Sequence, residues 1–183
     1  MSWQTWWGSA QRSALIHTAH PYLESITEKT KLSAFLGLRS DRRVILIDKV
    51  DSVYGIKVSS EIGMQMPILA GAGIKAMLSQ LSDEGIDKIL ARTELKRYTP
   101  YSIIDKAVYK EEILEVRKQG IVYDREEYIE GMVAFAIPVR ANSRDLQAAI
   151  WAVGLTRQVP KASIPELTQL LKGISEEINY RLL

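Results

Sequence analysis

Residues 132–154 read MVAFAIPVRANSRDLQAAIWAVG, and the fold turns on them. Two apolar runs, 132–139 and 146–154, flank a polar turn at Asn142, Ser143 and Arg144, which is the pattern of two paired strands. Both runs carry apolar residues on both faces, so neither face of the sheet can remain in water. Each must be covered by helices or by a ligand. Strand parity puts Met132, Ala134 and Ala136 on one face of the first run, and Ala149, Trp151 and Val153 on one face of the second. The two sets can meet across one cavity.

Working outward, Ile164, Leu167, Leu170, Leu171, Ile174, Ile178 and Leu182 follow a helical stripe after this pair, with Pro165 tolerated in the first turn. Before it lies a short strand at IVYD (121–124), preceded by a helix over 105–119 that Gly120 is suited to end. LAGAGIKAML (69–78) reads as small residues leading into a helix, and Ser82 as the cap of another. Earlier, Leu32, Ala34, Leu36 and Leu38 alternate, then VILIDKV follows the turn Ser40, Asp41, Arg42, which makes a β-hairpin. A further short strand is expected at 56–59. The first helix is expected over 9–30, from Leu15, Ile16, Ala19, Tyr22, Leu23 and Ile26, with Pro21 kinking or restarting it near His20. For Trp3, Trp6 and Trp7 two readings stay open: a helix packing on a partner, or a disordered tail. Strands gathered in hairpins, not alternating with helices, indicate an α+β fold with a mostly antiparallel sheet flanked by helices.

Of 183 residues, 46% are hydrophobic, and 24 Lys plus Arg against 22 Asp plus Glu leave a net charge of +2. That is the balance of a globular chain, not of a nucleic-acid arm or a membrane protein. Zero cysteines exclude disulfides, thiolate metal sites and Cys-nucleophile chemistry, and fit a cytoplasmic location. No apolar run approaches the ~20 residues that span a bilayer.

Chemistry finds little foothold. The two histidines, His17 and His20, both lie in the first helix and read as solvated, with no cysteine or carboxylate motif to complete a metal site. No phosphate-loop or dinucleotide fingerprint is present, and no cofactor is implied. Small residues at Gly71, Ala72 and Gly73 permit close approach to helix N–H groups, where an anion can dock; for the segment taken alone, tight helix-to-sheet packing is the favoured explanation. Asp124, Glu126, Glu127 and Glu130 read as a solvated turn.

Taken in order, LAGAGIKAML, RYTPYSI, EEILEVRKQGIVYDREEYIEGMVAFAIPV and LQAAIWAVG resemble successive blocks of the effector-binding domain of the isocitrate lyase regulator (IclR) family of bacterial transcription factors. The resemblance divides the chain into an N-terminal extension (1–11) and the effector-binding domain (12–183). It implies a GAF-like fold, a small-molecule effector, assembly into a homodimer or homotetramer, no enzymatic activity, and DNA binding only through a winged helix-turn-helix domain that this sequence does not include. It places the effector site at the backbone of Ala72 and Gly73, the carboxylate of Asp124, and the side chains of Met132, Ala134, Trp151 and Val153, with Met64 and Met66 on a closing loop. Ala134, Trp151 and Val153 stand where relatives that recognise small hydrophilic acids tend to offer hydroxyl or thiol groups. Two outcomes stay open: an apolar or aromatic effector stacked on Trp151, or an indole that fills its own pocket and leaves a protein-interaction module without a ligand.

Overall fold

A computed structural model describes the backbone of residues 3–40, 43–140 and 146–182, and side chains from residue 10 onward within those ranges. The order is α1 (Trp3–Thr30), β1 (Ser33–Ser40), β2 (Arg43–Val50), β3 (Gln65–Pro67), α2 (Gly71–Leu78), α3 (Asp83–Arg92), α4 (Lys106–Gln119), β4 (Val122–Arg125), β5 (Met132–Arg140), β6 (Gln147–Leu155) and α5 (Ile164–Leu182). The six strands form one sheet in the order β3-β2-β1-β6-β5-β4, with every pairing antiparallel. The α+β class expected from the hairpins is the observed one.

Alternation along β6 divides the interior into two layers. Ala148, Ile150 and Ala152 face the core shared with Leu15, Ala19, Leu23 and Ile26 of α1 and with Leu171, Ile174 and Ile178 of α5. Ala149, Trp151 and Val153 face the opposite core, with Ile74, Met77 and Leu78 of α2 and Tyr109, Ile113 and Val116 of α4. Both faces of the sheet are therefore covered, as its apolar composition requires.

Local chemistry sets the helix ends. Asp105 accepts hydrogen bonds from the N–H groups of Ala107 and Val108 to start α4, and Gly120, at φ 73°, ends it in the left-handed conformation. Ser82 accepts from the N–H of Gly85 to cap α3.

Four expectations change. Helix α1 begins at Trp3 and continues through Pro21 as a single element, because the buried stripe Leu15, Ala19, Tyr22, Leu23, Ile26 holds it to the sheet on both sides of the proline. The strand expected at 56–59 is a loop: its polar groups are taken by side chains, with Ser33 Oγ donating to the Val58 carbonyl (2.6 Å) and Gln158 Nε2 to that of Ile56 (3.0 Å). The third strand lies instead at Gln65–Pro67 and includes Met66, so the closing loop expected at Met64 and Met66 is in part a strand. His20 is not simply solvated, since its Nδ1 lies 2.8 Å from Asp48 Oδ2. The side chains of Trp3, Trp6 and Trp7, residues Asp41 and Arg42, and the turn Asn142, Ser143, Arg144 lie outside the described residues.

Candidate ligand site

Between the sheet and α2 lies a cavity of about 270 Å³, bordered by Met64, Met66, Gly71, Ala72, Gly73, Asp124, Met132, Ala134, Trp151 and Val153. All nine residues singled out in the sequence thus border the same chamber. Sheet register explains the meeting: Asp124 pairs with Ala134, Ala134 with Val153, and Ala136 with Trp151, so one row of inward positions crosses three strands. Phe35, Leu46, Val58, Tyr128 and Ile129 also border it and went unmarked in the sequence, because they come from elements far apart in the chain.

Trp151 lines the chamber without filling it. Its six-membered ring is seated between two glycines, such that a Cβ on Gly73 would stand 2.9 Å from Cε3 and one on Gly37 would stand 2.6 Å from Cη2. Both values are below any ordinary carbon contact, so a side chain at either place would force the indole to shift. Phe35 meets the indole edge-to-face at 6.0 Å between centroids.

The polar end is built by Asp124, which is 4% exposed. Its Oδ1 accepts from the N–H of Glu127 at 2.9 Å, and its Oδ2 lies 3.7 Å from where a Cβ of Gly71 would be. Burial, reinforced by the nearby Glu127 carboxylate and opposed by that N–H and by Lys75, raises the Asp124 pKa to about 6. The expectation of a solvated acidic turn is therefore corrected for Asp124, which folding removes from water. It is also corrected for Glu127, whose carboxylate holds the ammonium of Lys75 at 2.7 Å.

Lys75 is the residue the sequence reading missed. Its side chain is fully buried in α2, paired with Glu127 and 3.5 Å from Glu112, and its Nζ stands 5.4 Å from the centre of the Tyr109 ring. The available signal was a single charge in a helix whose residues are otherwise apolar or small. The 126–131 loop is fastened further, as Thr99 Oγ1 donates to the Glu126 carbonyl (2.6 Å) and Ser102 Oγ to that of Glu127 (2.7 Å). Among the described residues no group of three or more His, Asp or Glu side chains is placed to hold a metal.

A family profile for the C-terminal part of the bacterial transcriptional regulator IclR matches residues 8–180. The chain belongs to that family. It is 28% identical over 170 residues to the transcriptional repressor IclR of Escherichia coli K12, covering 92% of this chain and 62% of that protein. The crystal structure of Thermotoga maritima IclR superimposes with a TM-score of 0.84 at 28% identity, covering 92% of this chain and 68% of that one. An inducer-binding domain of the transcription factor PobR from Acinetobacter, a double mutant in complex with 3-hydroxybenzoic acid, superimposes with a TM-score of 0.76 at 25% identity, covering 88% and 95%. This IclR-family chain thus spans 62% of the length of the E. coli repressor. Its curated relatives are named as transcriptional repressors and regulators, not enzymes. No helix among the described residues is long and apolar enough to cross a membrane.

Proposed function

We propose that this chain is the effector-sensing and oligomerisation part of a cytoplasmic IclR-family regulator, with residues 12–183 as the sensing domain. In this reading a small organic ligand, mainly apolar or aromatic, enters the cavity and controls DNA binding by a winged-helix domain. One observation carries it: an apolar chamber of about 270 Å³ that brings a buried carboxylate and the glycine-lined start of a helix together with Trp151. Ligand sites are typically concave and apolar with a few converging polar groups, and this chamber fits that description. The PobR domain that shares the fold is in complex with an aromatic acid, which supports a ring-sized occupant.

Control by the ligand requires different affinities for two arrangements of the protein. The loop between β2 and β3 supplies both a wall of the chamber and a set of exposed apolar side chains, with Val53 84%, Ile56 61% and Ile62 60% exposed. Exposed apolar groups at this density favour contact with another subunit in a homodimer or homotetramer, and their continuity with the cavity wall gives occupancy a route to that contact.

Thermal melting against a panel of small aromatic and aliphatic compounds tests the proposal. A true ligand at 100 times its Kd adds about 2.7 kcal/mol of stability. Stabilisation by no member of a broad panel overturns the sensing role.

A further inference from the structure

We infer a second ligand site, separate from the chamber beside Trp151: a cationic cleft between α3 and the sheet that takes the phosphate group of a small organic phosphate. It does not depend on the sensing role proposed above.

The cleft holds about 410 Å³ and shares no bordering residue with the chamber. One short segment walls both, since Ile68 borders the cleft while Met66 and Ala70 border the chamber. On α3, Lys88, Ile89 and Arg92 recur at the spacing of one helix face and border the cleft, while Ile86 and Leu90 of the same helix turn into the core. Strand β1 supplies Arg39. Folding thus gathers cations from a helix and a strand that lie far apart in the sequence.

Charge is the first observation. Three residues bordering the cleft, Arg39, Lys88 and Arg92, are cationic, and none of its described bordering residues is acidic. The whole chain carries only +2, so the bias is local. Existing contacts leave room for an anion. Arg92 has no hydrogen-bond or ion-pair partner among the described residues. Lys88 pairs with Glu84 at 2.6 Å, but the two side chains are 65% and 76% exposed, and a surface pair one helical turn apart is weak enough to yield to a better-placed anion. Arg39 donates twice to Gln147 Oε1, from Nε at 2.9 Å and Nη2 at 2.6 Å, which fixes the orientation of its guanidinium. A guanidinium so held loses little freedom on meeting an oxyanion.

The walls name the occupant. A phosphate monoester carries close to two negative charges at neutral pH and three acceptor oxygens, which match several cations and the Thr93 hydroxyl better than the single charge of a carboxylate does. Ile68 and Ile89 make the rest of the wall apolar, as an organic body requires, and the volume is that of a small-molecule site. A DNA duplex presents a row of phosphates to an extended basic stripe, whereas these cations border one recess.

Titration of the whole chain with phenyl phosphate, inorganic phosphate, phenol and a DNA duplex of arbitrary sequence tests the inference, followed by calorimetry and by nitrogen–proton correlation spectra. Phenyl phosphate is expected to bind once per chain and to shift the amides of Lys88, Ile89, Arg92 and Thr93. Inorganic phosphate is expected to bind more weakly, and phenol to leave those amides fixed. Arg92→Gln and Lys88→Gln, both at exposed positions that folding does not need, are each expected to weaken phenyl phosphate about tenfold, the loss of one charge-assisted contact. Unchanged affinity in both variants overturns the inference. So does phenyl phosphate that shifts Gly73 and the Trp151 indole in place of α3, a result that leaves the sensing role standing. Equal affinity for phenyl phosphate and inorganic phosphate overturns the organic ligand. Duplex binding that both variants lose, with phenyl phosphate silent, overturns the inference and reassigns the cleft to nucleic acid.

Discussion

The ammonium of Lys75 lies 2.7 Å from Glu127 Oε2, and the backbone N–H of the same Glu127 donates to Asp124 at 2.9 Å, so a fully buried cation in α2 fixes the carboxylate that faces the cavity. Breaking a buried pair by removing one partner is costly because the other charge stays unpaired. Lys75→Met is expected to lose about 3 kcal/mol in urea unfolding, and the double variant Lys75→Met/Glu127→Leu to recover more than half of that loss. Equal losses in the single and double variants would deny the coupling.

Asp124 gives the protein a definite pH dependence. Its pKa is raised from 3.8 to about 6, chiefly by burial, so between those values the folded state holds more proton than the unfolded chain does. Stability therefore falls as pH rises from about 4 to about 6, by an amount on the order of 2–3 kcal/mol from this group alone, and levels above that. Unfolding in urea across pH 4 to 7 measures it. Asp124→Asn is expected to flatten this part of the profile, and an unchanged slope in that variant would reassign the effect.

Trp151 and its two glycines form one packing unit. Gly73→Ala places a methyl group 2.9 Å from Cε3 of the indole, and Gly37→Ala places one 2.6 Å from Cη2. Overpacking of this kind costs about 1–3 kcal/mol. Adding Trp151→Leu to Gly73→Ala is expected to restore at least half the loss, because the ring that the methyl group meets is gone. Additive losses would show that the glycine serves the backbone alone.

The N-terminal cap of α4 offers a prediction remote from the cavity. Asp105→Ala leaves the N–H groups of Ala107 and Val108 without their acceptor and is expected to cost about 1 kcal/mol, without altering ligand affinity. Differential calorimetry with and without ligand reads both quantities.

What the sequence shows and what it hides follow from the range of the forces involved. Helix α4, with Asp105 before it and Gly120 after it, is legible because its caps are local. The division of β6 into two faces is legible because side chains alternate along any strand, and that parity alone brings Met132, Ala134, Trp151 and Val153 to one wall. Strand β3, three residues long, carries too short a pattern to register, so the polar loop before it reads as the strand. The pairing of Lys75 with Glu127 joins residues 52 apart in sequence, and no local pattern announces it. For the same reason Asp124, in a run of acids that looks solvated, gives no sign of its burial beneath α2.

The central claim is that the chamber beside Trp151 and Asp124 holds a ligand, and the most direct measurement is a nitrogen–proton correlation spectrum recorded during titration with small aromatic amides, phenols and acids. The indole N–H of Trp151, assigned with Trp151→Phe, and the amides of Gly71, Ala72 and Gly73 are expected to shift together and saturably, while amides at the far end of α5 stay fixed. A compound that stabilises the protein yet leaves those four signals in place would contradict the account.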